Sequence, residues 1–154
     1  MIRSEAEYQE ARRRLDQDRD VADRQRDALV AAGLPADQVE RAMEPLLSFQ
    51  AQLAEELEWY EHVRRRSFPE IRRLTQLGRL LIALRIANGH TQRELAERLG
   101  ISESVVSRDE RNEYHGITLE RAQRVLDALD ETVTARVEGH AARVQRRMVA
   151  GVSG

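Results

Sequence analysis

Residues 91–110 read TQRELAERLGISESVVSRDE, and their spacing decides the fold. Leu95, Ala96 and Leu99 place an apolar stripe on one face of a short helix that Thr91 is positioned to cap. Gly100-Ile101-Ser102 then makes a three-residue turn in which Gly100 tolerates the turn backbone, Ile101 points inward and Ser102 can cap a further helix starting near Glu103. Upstream, Leu77, Leu81 and Leu84 mark another amphipathic helix, joined to the next through Asn88-Gly89-His90. Downstream, Thr118 can cap a helix whose Leu119, Ala122, Val125, Leu126 and Leu129 close a small core. Two short helices across a tight turn form a helix-turn-helix, a geometry that lets the second helix lie in the DNA major groove while the first crosses the backbone.

Through Leu77-Gly78, Leu81, Leu84-Arg85, Gly89, Thr91-Gln92, Leu95-Ala96, Leu99-Gly100-Ile101-Ser102, Val106-Ser107 and Glu110, residues 77–130 resemble the Cro and phage-repressor class of helix-turn-helix regulators, the Xre family. The resemblance implies that Gln92 holds a phosphate, that Glu103, Ser104, Val105 and Arg108 face bases, and that Ser107 and Asn112 touch the DNA backbone. Thr91, Arg93, Ser102 and Arg111 complete the expected DNA-binding set, and Arg85 with Glu110 is expected as a partly buried ion pair. The chemistry agrees: Arg108 can donate two hydrogen bonds to guanine, Ser104 can donate or accept, Val105 can touch a thymine methyl and Glu103 can accept from cytosine. An acid in the first turn, as at Glu103, is also favoured by the helix dipole without DNA. Two positions depart from the family pattern. Asp109 stands where an apolar residue is usual, which predicts looser packing at that helix end. Asn112 stands where glycine is common, and Asn tolerates the left-handed backbone. Residues 77–115 hold six Arg and six acids, so non-specific DNA affinity is expected to be weak.

The amino-terminal part reads as two antiparallel helices. Ser4-Glu5-Ala6-Glu7 is a capping-box pattern opening a helix over about residues 5–32, and Gly33 and Pro35 mark the break before the next. In the second stretch Val39, Met43, Leu46, Gln50, Leu53, Leu57 and Tyr60 recur at spacings of four and three, a heptad seam. Pro45 predicts a kink or fresh start, with residues 45–66 the firmer helix. The first helix offers Tyr8, Ala11, Leu15, Asp18, Ala22, Gln25, Leu29 and Ala32. Asp18 and Gln25 interrupt that line, so part of the seam is expected to stay uncovered and serve association. Trp59 and Tyr60 read as packing residues. Glu5-Ala6-Glu7-Tyr8 and Leu57-Glu58-Trp59-Tyr60-Glu61 resemble the extension of HigA-type antitoxins. The run Arg64-Arg65-Arg66-Ser67-Phe68-Pro69 ends the periodicity.

The expected architecture is therefore all-α: an N-terminal helical hairpin or coiled-coil association module over residues 1–66, a compact Xre-type helix-turn-helix bundle over 70–130, and over 131–154 a short strand or helix with a flexible tail. Val133, Ala135 and Val137 alternate with polar residues in the strand candidate, and His140, Arg143, Arg146 and Arg147 lie in the tail. Four per cent aromatic and 34% charged residues fit that class. With no Cys and four scattered His, a disulfide framework or metal site is not expected. No cofactor motif, glycine-rich phosphate loop or nucleophile elbow occurs, so the chain reads as a non-enzyme, without membrane segment or export signal, in the cytoplasm. The reading that follows is a dimeric, sequence-specific repressor binding double-stranded DNA at a near-palindromic operator. The alternative is an antitoxin that neutralises a small basic ribonuclease toxin and regulates their operon. Residues 1–66, with 11 Arg against 15 acids, carry the acidic excess on which that alternative draws.

Overall fold

The computed structural model describes residues 1–137. Ser4 lies in extended backbone and its Oγ accepts the Glu7 amide at 3.2 Å, turning the chain into α1, Glu5–Ala31. The Glu7 carboxylate reaches one residue further back than a capping box requires and accepts the Arg3 amide at 2.7 Å. After the break at residues 32–35, α2 spans Ala36–Arg64 as one element. The restart expected at Pro45 does not occur. Pro45 is exposed, so the carbonyl it leaves without a helical partner faces water, while Val39 and Met43 before it and Gln50 after it are buried on the hairpin seam.

Most of that seam is covered by α1. Tyr8, Leu15 and Ala22 of α1 are buried with Val39, Met43, Gln50, Leu57, Tyr60 and Val63 of α2. The Gln50 side-chain amide donates to the Asp18 backbone carbonyl at 2.7 Å, while Asp18 Oδ2 is buried without a hydrogen bond, 3.7 Å from Arg14 Nε. What remains outside is a set of scattered apolar side chains: Val21, Val30, Leu47 and Phe49. The Arg14 guanidinium lies 4.9 Å from the Phe49 ring.

A 3-10 turn, Leu74–Gln76, leads into α3, Leu77–Ala87, followed by α4, Gln92–Leu99, α5, Glu103–Arg111, and α6, Leu119–Ala128. The fold is all-α, as the sequence pattern predicts. The connector after Arg64 divides the chain without dividing its core: Ile2, Tyr8, Leu15, Leu57, Tyr60 and Val63 pack in one apolar cluster with Leu81, Ile82, Leu95, Val106, Val125 and Leu126. The tip of the hairpin, around Ala22, Val39 and Met43, has a separate cluster. Residues 131–137 form no strand. Among the described residues their alternation has no neighbouring strand to pair with, and although Val133 packs on the core, Val137 is 95% exposed. The tail residues from 138 onward, including His140, Arg143, Arg146 and Arg147, lie outside the described residues.

The reversal after α5 brings α3 close. Asn112 keeps φ −91°, and the left-handed residues are Glu113 (φ +50°) and Tyr114 (φ +54°), which lets the Tyr114 amide close on the Asp109 carbonyl at 2.7 Å. The left-handed conformation expected at Asn112 is thus displaced down the chain. It carries the Glu113 carbonyl onto Gly78, where a Cβ would stand 1.9 Å from that oxygen. Gly78→Ala is expected to cost at least about 1 to 3 kcal/mol by overpacking, seen as a lower midpoint of urea unfolding with an unchanged slope. A variant as stable as the parent would mean that the two segments do not meet this closely.

Candidate nucleic-acid interface

The helix-turn-helix is assembled from local caps before its tertiary contacts. Thr91 Oγ1 accepts the Glu94 amide at 3.1 Å and Glu94 Oε2 accepts the Thr91 amide at 2.7 Å, a reciprocal capping box at the start of α4. The bond from the Thr91 backbone, then that from its hydroxyl, holds the Glu94 carboxyl below its ordinary range. Gly100 ends α4 at φ +66°, and Ile101 packs against the core. Ser102 takes the N-cap position of α5, but its hydroxyl lies 3.0 Å from Ser104 Oγ and makes no capping bond to the backbone. The expected Ser102 cap is therefore absent, since the neighbouring hydroxyl competes for it. The first amides of α5 lack that partner.

A buried ion pair sets the angle between these helices. Arg85 of α3 donates from Nε to Glu110 Oε1 at 2.5 Å and from Nη2 to Glu110 Oε2 at 2.7 Å, with side-chain exposures of 3% and 0%. The pair is thus completely buried, deeper than the partial burial expected. Arg85 Nη1 also donates to the His90 carbonyl at 2.6 Å, and Nη2 to the Arg3 carbonyl at 2.9 Å. Gln92 Nε2 donates to Glu110 Oε2 at 2.8 Å. One carboxylate therefore joins α3, the start of α4 and α5, while the guanidinium adds the segment preceding α1. Sequence reasoning missed Arg3. Its contribution is a backbone oxygen, for which no residue type gives a signal.

Around this centre the DNA-binding candidates take distinct positions. Thr91, Arg93, Ser102, Glu103, Ser104, Arg108, Arg111 and Asn112 are exposed, while Gln92, Val105 and Ser107 are half-buried. On α5 the buried Val106 and Glu110 face inward, leaving Arg108 and Arg111 outside. Neither arginine side chain has a hydrogen bond or ion pair to another described residue. Arg93 is held by Glu97 at 3.0 Å, and Glu97 foremost, then Glu103, keep it more firmly protonated. Asp109 does not loosen the end of α5: it accepts a hydrogen bond from Arg121 Nη2 of α6, an ionic contact in place of the expected apolar one.

Residues 81–135 match the family model described as Helix-turn-helix. The chain carries a helix-turn-helix domain of a DNA-binding regulator. The match runs from inside α3 to beyond α6, so the hairpin α1–α2 lies outside it. None of the curated proteins or solved structures compared with the chain matches it. Among the described residues no helix is long and apolar enough to cross a membrane, and no group of His, Cys, Asp and Glu is placed to hold a metal ion.

The helix-turn-helix geometry depends on Arg85 and Glu110 being present together. Removing either partner strands a buried charge, so Arg85→Met and Glu110→Gln are each expected to destabilise the fold by about 3 to 5 kcal/mol. In a double-mutant cycle by chemical denaturation the second loss should be much smaller than the first. Additive losses would show that the two side chains act separately.

Proposed function

We propose that the protein is a sequence-specific transcriptional regulator that binds operator DNA as a dimer and represses by occupying a promoter. The observation that carries this reading is Arg108: an exposed guanidinium without an ionic partner among the described residues, on the outward face of a helix whose other face is locked by Val106 and Glu110. In this reading Glu103, Ser104, Val105 and Arg108 meet base edges. Thr91, Gln92, Arg93, Ser102, Ser107, Arg111 and Asn112 lie along the sugar-phosphate backbone. Gln92 Nε2 carries two hydrogens, and Glu110 takes one, which orients the other for a phosphate. Neutral net charge in this domain is compatible with binding, because Glu94, Glu97, Asp109 and Glu110 are engaged in caps or ion pairs. Arg108→Ala is expected to cost about 1 to 3 kcal/mol and relax preference at one base position, measured by selection from a random duplex pool. Unchanged affinity and preference would overturn the docking of α5.

A helix as short as α5 reads few base pairs, which is the reason for proposing a dimer on half-sites about 34 to 36 Å apart. The association surface is assigned to the hairpin. Gln50 is bonded to Asp18, so Val21 and Leu47, three residues along each antiparallel helix, stand at one level, and both are exposed. Deleting residues 1–66 would strip Ile2, Tyr8, Leu57 and Val63 from the common core, so point substitutions make the better test. Val21→Glu with Leu47→Glu is expected to leave the helix content intact, give monomers in sedimentation and weaken operator binding. A variant that still sediments as a dimer would move the interface elsewhere. The acidic excess of residues 1–66 favours a second reading, an antitoxin whose hairpin captures a small basic toxin. In that case the same variant keeps its DNA affinity and loses neutralisation of a co-expressed basic partner.

A further inference from the structure

Residues 64–79, which join the hairpin to the helix-turn-helix, hold six arginines and one acid in a chain whose net charge is −2. The first three arginines are engaged within the fold: Arg64 with Glu5 at 2.6 Å, Arg65 with Glu61 at 3.2 Å, and Arg66 with Glu131 at 2.6 Å. Arg79 lies over the Trp59 ring of α2, at 6.0 Å from its centroid, and Arg72 and Arg73 are the least engaged. Arg73 has no side-chain hydrogen bond or ion pair to another described residue. The ion pair of Arg72 is with Glu70 at 3.8 Å, where both side chains are mostly in water (82% and 70% exposed). Such a pair contributes little stability.

The backbone beneath these two arginines is nevertheless held in place. Gln76 Oε1 accepts both the Arg72 amide at 3.0 Å and the Arg73 amide at 3.1 Å, so one side chain fixes the connector as it enters α3. Two residues further on, Gly78 is pressed against the Glu113 carbonyl, immediately beyond the end of α5. The connector that carries Arg72 and Arg73 thus enters α3 next to the segment that leaves α5, where Arg111, Asn112 and His115 stand exposed. Two mostly solvated cations on a backbone held by Gln76, in the connector whose continuation at Gly78 meets the segment leaving α5, have the charge and the anchorage to meet phosphates.

We propose that Arg72 and Arg73 form a sequence-independent clamp on the DNA backbone that flanks the half-site read by α5. The inference rests on the DNA-binding role given above and extends the contact surface beyond the helix-turn-helix to the connector. The clamp adds affinity without adding base preference, because phosphate contacts position a protein and carry no sequence information. It also places the hairpin next to the DNA flank, since the same connector ends α2.

The test is a salt titration of the full chain and of Arg72→Ala/Arg73→Ala on a selected operator and on a scrambled duplex, over about 50 to 200 mM salt. Losing two phosphate contacts is expected to make the slope of log K against log salt shallower by about 1.8, with an equal fold-loss on both duplexes and unchanged operator preference. Arg12→Ala/Arg13→Ala, which removes the same charge from exposed positions on α1, should keep the parental slope. Trimming the duplex to the base pairs read by α5 should remove the difference between the parent and the connector variant. A connector variant with the parental slope and affinity, on DNA the parent binds, overturns the clamp and leaves the regulator reading intact. A loss confined to the operator, or an equal loss in the α1 variant, also overturns it. A parent that binds neither duplex overturns both.

Discussion

A guanidinium and a carboxylate removed from water must satisfy each other, and the helix-turn-helix here is arranged around that demand. Arg85 and Glu110 are buried as a two-bond pair, and the donors left over are taken by the carbonyls of His90 and Arg3. Desolvation cancels much of the Coulomb gain, so the pair contributes orientation more than stability. Its bonds are directional. They fix the angle of α5 against α3, tie Gln92 to the same carboxylate and draw the residues before α1 into the domain. Apolar packing alone tolerates sliding between short helices, whereas a fork of fixed hydrogen bonds does not.

The readable parts of the sequence were those governed by local chemistry. Thr91 with Glu94 and the Gly100 turn identify α4 and its boundary because the cap residues act on backbone within a few positions of themselves. The hairpin seam was legible for a related reason, as spacing alone decides which side chains share a helix face. Wrong expectations arose where distant partners compete with local preference. Pro45 weakens α2 locally, but burial of Val39, Met43 and Gln50 on either side holds the helix through it. Gln50 on the seam is satisfied by the Asp18 backbone carbonyl, a partner that no residue type signals. Ser102 had the sequence of a cap and the backbone of a cap, and its hydroxyl turned to Ser104. The alternation at residues 133–137 carries the strand period without a neighbour to complete a ladder.

Net charge proved a poor guide to the surface for the same reason. The six acids of residues 77–115 do not face the solvent together: Glu110 is buried, Asp109 is paired to α6, Glu94 is bound into a cap and Glu97 holds Arg93. Glu103 and Glu113 are exposed, as are Arg108 and Arg111. The electrostatic character of the face depends on which charges the fold has already used, and a count cannot separate these from the rest.

The bond between Arg85 and the Arg3 carbonyl spans 82 residues of chain. Synthesis proceeds from the amino end at about 5 to 20 residues per second, so Arg3 and Ile2 exist for about 4 to 16 seconds before Arg85 is made, and the hairpin, complete only at Arg64, for about 1 to 4 seconds. From the completion of α2 until α3 is made, the root of the hairpin, with Ile2, Tyr8, Leu57 and Val63, lacks the α3 surface against which it is finally buried. The nascent chain thus presents an apolar patch early and closes it late. The helix-turn-helix forms quickly once made, so the time during which the growing protein is open to aggregation or to a chaperone is set by the distance along the chain between the end of the hairpin and the helices that cover its root.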